Sequence, residues 1–316
     1  MTLPLYDPAP QRPVASNTAL TVPDLPEGMH FPLVCRWPEG DAPKGYAIFC
    51  HGLGASGRDY AKLSERWARG GYLVIHPTFA DSVEAVVAAD PALAPGADLE
   101  RWTEDPRLRQ RLYEALHSAP YWVDRIRIVR GVLDRLETIV AATCGPQAAP
   151  LRGAIAGHSF GAYTAQLLAG AEVDLPGEGP AQFREGRFSA AILLSAQGRD
   201  QQGLRAGSWD GIEGPMLNVT GTRDGGAKGQ DWHWKTEPYD LAPPGDKYLA
   251  VLEGADHFLG GIARPNQSPA PAQGAAVRAL TLAFLDTYLA DEAEAKAWLA
   301  SADDQMGECG LIFARK

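Results

Sequence analysis

Gly157-His158-Ser159-Phe160-Gly161 is the stretch that decides the fold. The apolar run Ala154-Ile155-Ala156 leads into it, and Ala162 to Ala171 leads away with helix-forming residues and no proline. The pattern is a strand, a sharp turn and a helix. A serine at such an apex is forced into a strained backbone conformation, tolerable when the residues two before and two after carry no side chain. Gly157 and Gly161 meet that need. The strain lifts the hydroxyl out of the sheet, and the first turn of the next helix aims free N–H groups toward it. Ser159 reads as a nucleophile if partners stand elsewhere. With 34 glycines in the chain, G-x-S-x-G by itself also arises in ordinary turns.

The surrounding sequence repeats the alternation of strand and helix. Tyr46 to Cys50, Tyr72 to Ile75, Ala190 to Leu194, Met216 to Thr220 and Tyr248 to Leu252 read as strands covered on both faces, with an outer strand over Phe31 to Trp37. Helices are expected from Arg58 to Arg69, over the periodic run Ile126 to Val140, and from Val277 to Tyr288. The expected class is therefore α/β, with a mostly parallel central sheet and helices on both faces. Residues 1–30 are rich in proline and read as an arm, with a short strand around Ala19 to Val22; residues 31–316 read as one domain. The stretch 81–119 is too long for a simple connection and reads as an excursion bordering the site. Arg264 to Gly274 reads as a mobile loop.

Ligands of open parallel sheets meet the loops at the carboxyl ends of strands. Beyond Ser159, two such loops carry chemistry: Gly221-Thr222-Arg223-Asp224 and Glu253-Gly254-Ala255-Asp256-His257-Phe258. The chain order Ser, Asp, His is one of those in which this triad is known. His257 can take the serine proton and return it to a leaving group near neutral pH. Asp224 is the preferred orienting carboxylate. Asp256 is adjacent to the histidine, so its side chain should diverge from it, and Asp200 would serve only if the acid sat after the preceding strand. Two N–H groups should await the developing oxyanion: that of Phe160, and that of Leu53 in the loop His51-Gly52-Leu53-Gly54. His51 is expected to brace that loop, His158 to pack beside the turn, and His76 to be structural. Trp232, Trp234 and Phe258 are candidate walls of a substrate pocket.

Composition narrows the partners. A net charge of −10 in 316 residues disfavours nucleic-acid backbones and anionic membranes. No run approaches the roughly 18 apolar residues of a membrane span. The absence of a charged-then-apolar leader makes a cytoplasmic setting the expectation. Cys35, Cys50, Cys144 and Cys309 have no zinc or redox spacing, although a bridge through Cys144 or Cys309 stays open. Asp231-Trp232-His233 lacks a second ligand at metal spacing, and no phosphate-binding or dinucleotide fingerprint is present.

With these residues in view, the chain resembles serine hydrolases of the α/β-hydrolase fold. It is most similar to the bacterial branch that groups with platelet-activating-factor acetylhydrolases, chlorophyllases and dienelactone-hydrolase-like esterases. The resemblance rests on Phe49 to Gly54, Gly157 to Thr164, Thr220 to Asp224 and Gly245 to Phe258, within residues 46–290. Dienelactone hydrolases proper carry cysteine at the nucleophile position, and Ser159 here favours ordinary ester cleavage. The resemblance implies a carboxylic ester hydrolase working through an acyl-enzyme, without a cofactor; residues 81–119 are too short for a full lipase lid, so esters with short to medium acyl chains, or otherwise compact and apolar, are expected. A thioesterase or amidase with the same triad, a lyase, or a non-catalytic binding protein on this fold are the alternatives.

Overall fold

A strand sends alternate side chains to opposite sides, so a continuous apolar run feeds two cores at once. The computed structural model describes residues 5–8, 11–24, 31–93, 102–146, 151–263, 270–304 and 309–316. In chain order its elements are β1 (Val14–Leu20), β2 (Leu33–Pro38), β3 (Gly45–Cys50), α1 (Ala61–Gly70), β4 (Tyr72–His76), α2 (Val83–Ala89), α3 (Pro106–Leu116), α4 (Ala119–Asp134) and α5 (Leu136–Thr143). There follow β5 (Gly153–His158), α6 (Phe160–Ala169), β6 (Glu172–Leu175), β7 (Gly179–Gln182), β8 (Phe188–Leu194) and β9 (Met216–Gly221). The last are α7 (Glu237–Leu241), β10 (Lys247–Leu252), α8 (Pro271–Leu289), α9 (Ala293–Ala300) and β11 (Leu311–Arg315).

The main sheet has nine strands in the order β1-β2-β4-β3-β5-β8-β9-β10-β11. From β4 to β10 neighbouring strands are parallel. The edges, β1-β2-β4 on one side and β10-β11 on the other, are antiparallel. β6 and β7 form a separate hairpin. Side-chain parity divides the interior. Ile48, Cys50 and Ile155 join residues of α4, α5 and α6 in one core, whereas Ala47, Phe49, Ala154 and Ala156 join α1, α8 and α9 in the other.

Several boundaries differ from those expected, and proline accounts for two of the shifts. The run at 126–140 is two helices, the first beginning at Ala119 with Pro120 in its opening turn, and the two part at Arg135 (φ −110°, ψ 11°). α8 begins at Pro271, so the end of the loop expected at 264–274 is helical; residues 264–269 lie outside the described residues. Proline's missing N–H would have no helical partner in a first turn, and its fixed φ already suits a helix, so there it starts helices. Helix α1 begins at Ala61 rather than Arg58, after a turn in which Ser56 N–H donates to Asp59. The arm's strand is Val14–Leu20 rather than 19–22. It is an edge strand whose register is set by main-chain bonding to β2, so its side chains need no apolar pattern. Tyr6 anchors the arm by donating to the fully buried Asp286, which also accepts from Tyr72 and Lys44. The four cysteines are unpaired, and among the described residues no helix is long and apolar enough to cross a membrane.

The turn at Ser159 is wedged between strand ends. A methyl group on Gly157 would strike the carbonyl of Gly161, and one on Gly161 would strike the Cys50 carbonyl at the end of β3. Gly161→Ala is therefore expected to lower unfolding free energy by about 2 kcal/mol or more. Gly186→Ala, at a position with open space around it, should change stability by no more than about 0.5 kcal/mol. Urea denaturation of the two variants checks this, and equal losses would contradict the packing account.

Candidate active site

Ser159 sits between β5 and α6 with φ 55° and ψ −120°, a region that non-glycine residues rarely adopt. Its backbone is held by N–H donation to the Leu194 carbonyl (2.9 Å) and by Tyr163 N–H donating to its own carbonyl (3.1 Å). The side chain meets His257, with Oγ 2.9 Å from Nε2. On the other side of the ring, Nδ1 lies 2.8 Å from Asp224 Oδ1. The second carboxylate oxygen accepts from Thr220 Oγ1 at 2.8 Å. The three residues named from the sequence thus form one hydrogen-bonded line at the carboxyl ends of β5, β9 and β10. The rival carboxylates lie elsewhere: Asp256 accepts from Phe258 N–H, and the exposed Asp200 side chain lies 3.9 Å from Arg199.

Asp224 is fully buried, and burial alone would favour its neutral form. Lys235, His257 and the hydrogen bonds to the carboxylate outweigh that and hold its pKa well below the usual carboxylate range. Lys235 is an unexpected member of this group. Its side chain is buried, with Nζ 3.8 Å from Asp224 Oδ1 and donating to the Ser195 carbonyl at 3.1 Å. Burial lowers the ammonium pKa while Asp224 opposes the shift. The carboxylate therefore has a resident counter-ion besides His257.

The two other histidines near the turn are connectors whose tautomers follow from their partners. Gly52 N–H donates to Tyr60 Oη (3.0 Å), which donates to His158 Nδ1 (3.0 Å). His158 Nε2–H then donates to the His257 carbonyl (2.7 Å), which also accepts from Ser195 Oγ (3.1 Å). A carbonyl can only accept, so the proton of neutral His158 is on Nε2. His51 reads the opposite way: Nε2 accepts from Phe79 N–H (2.9 Å), and Nδ1–H donates to Gly52 O (2.8 Å).

The loop carrying Leu53 is braced by a buried ion pair absent from the sequence reading. Arg125, on α4, donates to both Asp81 oxygens, Nε at 2.7 Å and Nη2 at 2.5 Å, and to the His51 carbonyl at 3.0 Å. Its guanidinium lies 4.2 Å from the Phe79 ring centre and 4.1 Å from that of Phe160. Asp81 O in turn accepts from Gly54 N–H at 2.9 Å. Leu53 N–H has no hydrogen-bond partner among the described residues, and Phe160 N–H lies in the first turn of α6, where no helical carbonyl precedes it. Both can receive an oxyanion.

A cleft of about 770 Å³ opens over these groups, lined among others by Leu53, Ser159, His257, Trp234, Phe258 and Lys235. The excursion contributes Trp102, Tyr113 and Leu116 to the same walls. Trp234 and Phe258 therefore stand where the sequence reading places them. Trp232 does not: it stacks on His233 with ring centres 3.7 Å apart and packs on the core, outside the residues lining the cleft. Among the described residues, no group of three His, Cys, Asp or Glu side chains could hold a metal ion. No protein-family model and no curated protein matches the chain.

Three histidines are buried in neutral form. Burial, then the Arg125 charge, brings the pKa of His51 down to about 4. Burial, then His257, brings His158 down to about 3. Burial, then Arg36, lowers that of His76 well below the ordinary value, and neither of its ring nitrogens has a partner. In the unfolded chain each titrates at about 6.5, so below that pH the unfolded state binds more protons and stability decreases as the pH is lowered. Each histidine contributes up to ~1.4 kcal/mol per pH unit until its own native pKa is reached. Unfolding free energies measured between pH 6.5 and 4.5 should show this steep slope, and His76→Leu should remove one histidine's share of it; an unchanged slope would count against the neutral burial of His76.

Proposed function

We propose that the protein is a serine hydrolase of the α/β-hydrolase fold that cleaves carboxylic esters. The strand order, parallel from β4 to β10 with the serine turn after β5, supports the fold. The observation that carries the activity is the unbroken line from Ser159 Oγ through His257 to Asp224, at 2.9 and 2.8 Å. Serine at its free pKa is a weak nucleophile and needs such a base.

The reaction follows from these positions. Ser159 Oγ attacks the ester carbonyl carbon while His257 Nε2 takes the hydroxyl proton. The new imidazolium is stabilised by Asp224, ionised throughout by its Lys235 and Thr220 contacts. Negative charge on the former carbonyl oxygen is met by the Leu53 and Phe160 N–H groups. The tetrahedral species collapses as His257 gives the proton to the departing alkoxide, leaving an acyl group on Ser159. Water then enters, loses a proton to the same nitrogen and attacks the acyl carbon. Collapse releases the acid and returns the proton to Ser159. Trp102, Tyr113 and Leu116 line the same cleft as the serine, and short to medium acyl chains are proposed because the excursion that carries them is too short for a full lipase lid.

A fluorophosphonate probe should label Ser159 in the wild-type protein and fail to label Ser159→Ala; wild-type protein that stays unlabelled would overturn the hydrolase reading. Asp224→Asn should lower kcat by roughly 10³ to 10⁴, while Asp200→Asn should leave it within about twofold. Among p-nitrophenyl esters, thioesters and anilides, short to medium esters should turn over fastest; a faster thioester or anilide would reassign the leaving group, and a preference for long-chain triglyceride emulsions would remove the acyl-length limit.

A further inference from the structure

The loop that follows β8 brings Gln197, Gln201 and Gln202 into the walls of the same cleft as Ser159 and His257. Gln197 and Gln202 are each 7% exposed. Gln197 Oε1, Gln201 Nε2 and Gln202 Oε1 are buried and have no hydrogen-bond partner. Buried polar atoms are nearly always paired, so three unpaired amide groups around one cleft call for an explanation. The loop is also rigidly held. Gln202 has a left-handed backbone (φ 51°), its carbonyl accepts from Tyr163 Oη at 2.7 Å, and its Nε2 donates to the Leu116 carbonyl at 3.0 Å. That last bond fixes the amide, because only the NH₂ end can donate; Oε1 is the end left over. The Gln197 carbonyl is tied to Gln166 Nε2 at 3.4 Å.

We propose that these three glutamines recognise a hydroxyl-bearing part of the substrate, so that the natural ester carries one or more hydroxyl groups on its acid or alcohol portion. The inference rests on the hydrolase reading and names its substrate class. The unpaired set contains acceptors and a donor, all uncharged. A hydroxyl both donates and accepts, so it matches such a set and still matches if the Gln197 or Gln201 amide turns by half a revolution. A carboxylate would leave the acceptor oxygens facing like charge, and an alkyl chain would leave all three groups unpaired. Lys235 does not make this wall an anion site, because its ammonium is engaged by Asp224 and the Ser195 carbonyl. The proposal modifies the expectation of a wholly apolar ester: the Trp102 and Leu116 side of the cleft suits hydrocarbon, and the glutamines suit hydroxyls.

The test uses two matched pairs: glycerol monobutyrate against propyl butyrate, and p-nitrophenyl 3-hydroxybutyrate against p-nitrophenyl butyrate. In at least one pair the hydroxylated ester should have the higher kcat/KM by about tenfold or more, since a site built to bond a hydroxyl discriminates against the analogue lacking it. That ratio should fall toward one in Gln202→Leu and in Gln197→Leu, whatever the absolute rates. Should those buried substitutions prevent folding, Gln201→Leu, at a partly exposed position, gives the same reading. Wild-type ratios of one or less in both pairs, or a ratio unmoved in every variant that folds, would overturn the proposal. Fluorophosphonate labelling separates the two levels. Protein that neither labels nor turns over any ester would remove the hydrolase reading and the proposal together. Protein that labels but turns over neither pair is read by competition: glycerol slowing labelling more than propanol supports the proposal, and equal slowing refutes it.

Discussion

The site depends on how closely one helix can approach a strand end. The first turn of α6 lies against the carbonyls of Cys50 and His51, a distance that only a glycine at 161 permits. This contact sets where Ser159 stands relative to the Leu53 loop, since His51 begins that loop. Were α6 to move outward by the width of a methyl group, Ser159 and the Phe160 N–H would travel with it while the Leu53 N–H stayed behind. On the proposed hydrolase reading little of this is tolerable, because reacting groups must meet within a few tenths of an ångström of their productive positions.

Around that contact the protein buries charge in pairs. Arg125 with Asp81, and Lys235 with Asp224, stand on either side of the serine turn, each with both partners almost inaccessible to water. Such pairs contribute little net stability, yet removal of one partner leaves a buried charge exposed to the full cost of its desolvation. Their value here is positional. Arg125 joins α4, the segment after β4 and the His51 carbonyl, and it rests on the ring of Phe160 next to Ser159. Lys235 helps hold the buried Asp224 ionised against the cost of its burial. His158 completes the frame by joining the Tyr60 hydroxyl to the backbone of His257.

Much of this was legible in the sequence, and the parts that were not have a common cause. Apolar runs disclosed the inner strands because burial on both faces leaves little choice of residue. Ser159, Asp224 and His257 could be found because each follows a strand and because their chain order is one of those known for such a set. Pro271 misled, since the same residue that breaks a helix interior begins one at its first turn. The edge strand Val14–Leu20 was misplaced because main-chain bonding asks nothing of its side chains. Arg125 and Lys235 were invisible for another reason: their partners are backbone carbonyls and carboxylates elsewhere in the chain, and no local spacing announces them; the three glutamines carry no motif at all. Trp232 shows the converse, a large aromatic next to the right loop that turns to stack on its neighbour.

The placement of β11 bears on how the polypeptide can be made. β10 carries the loop of His257 and pairs on one side with β9, but its other side is covered only by β11, which follows after the whole of α8 and α9. While the chain is emerging from the ribosome, that flank of β10 presents unsatisfied main-chain groups to any neighbouring nascent strand. The last strand therefore acts as a seal: until it is synthesised and docked, the half of the sheet bearing the histidine is open to mispairing.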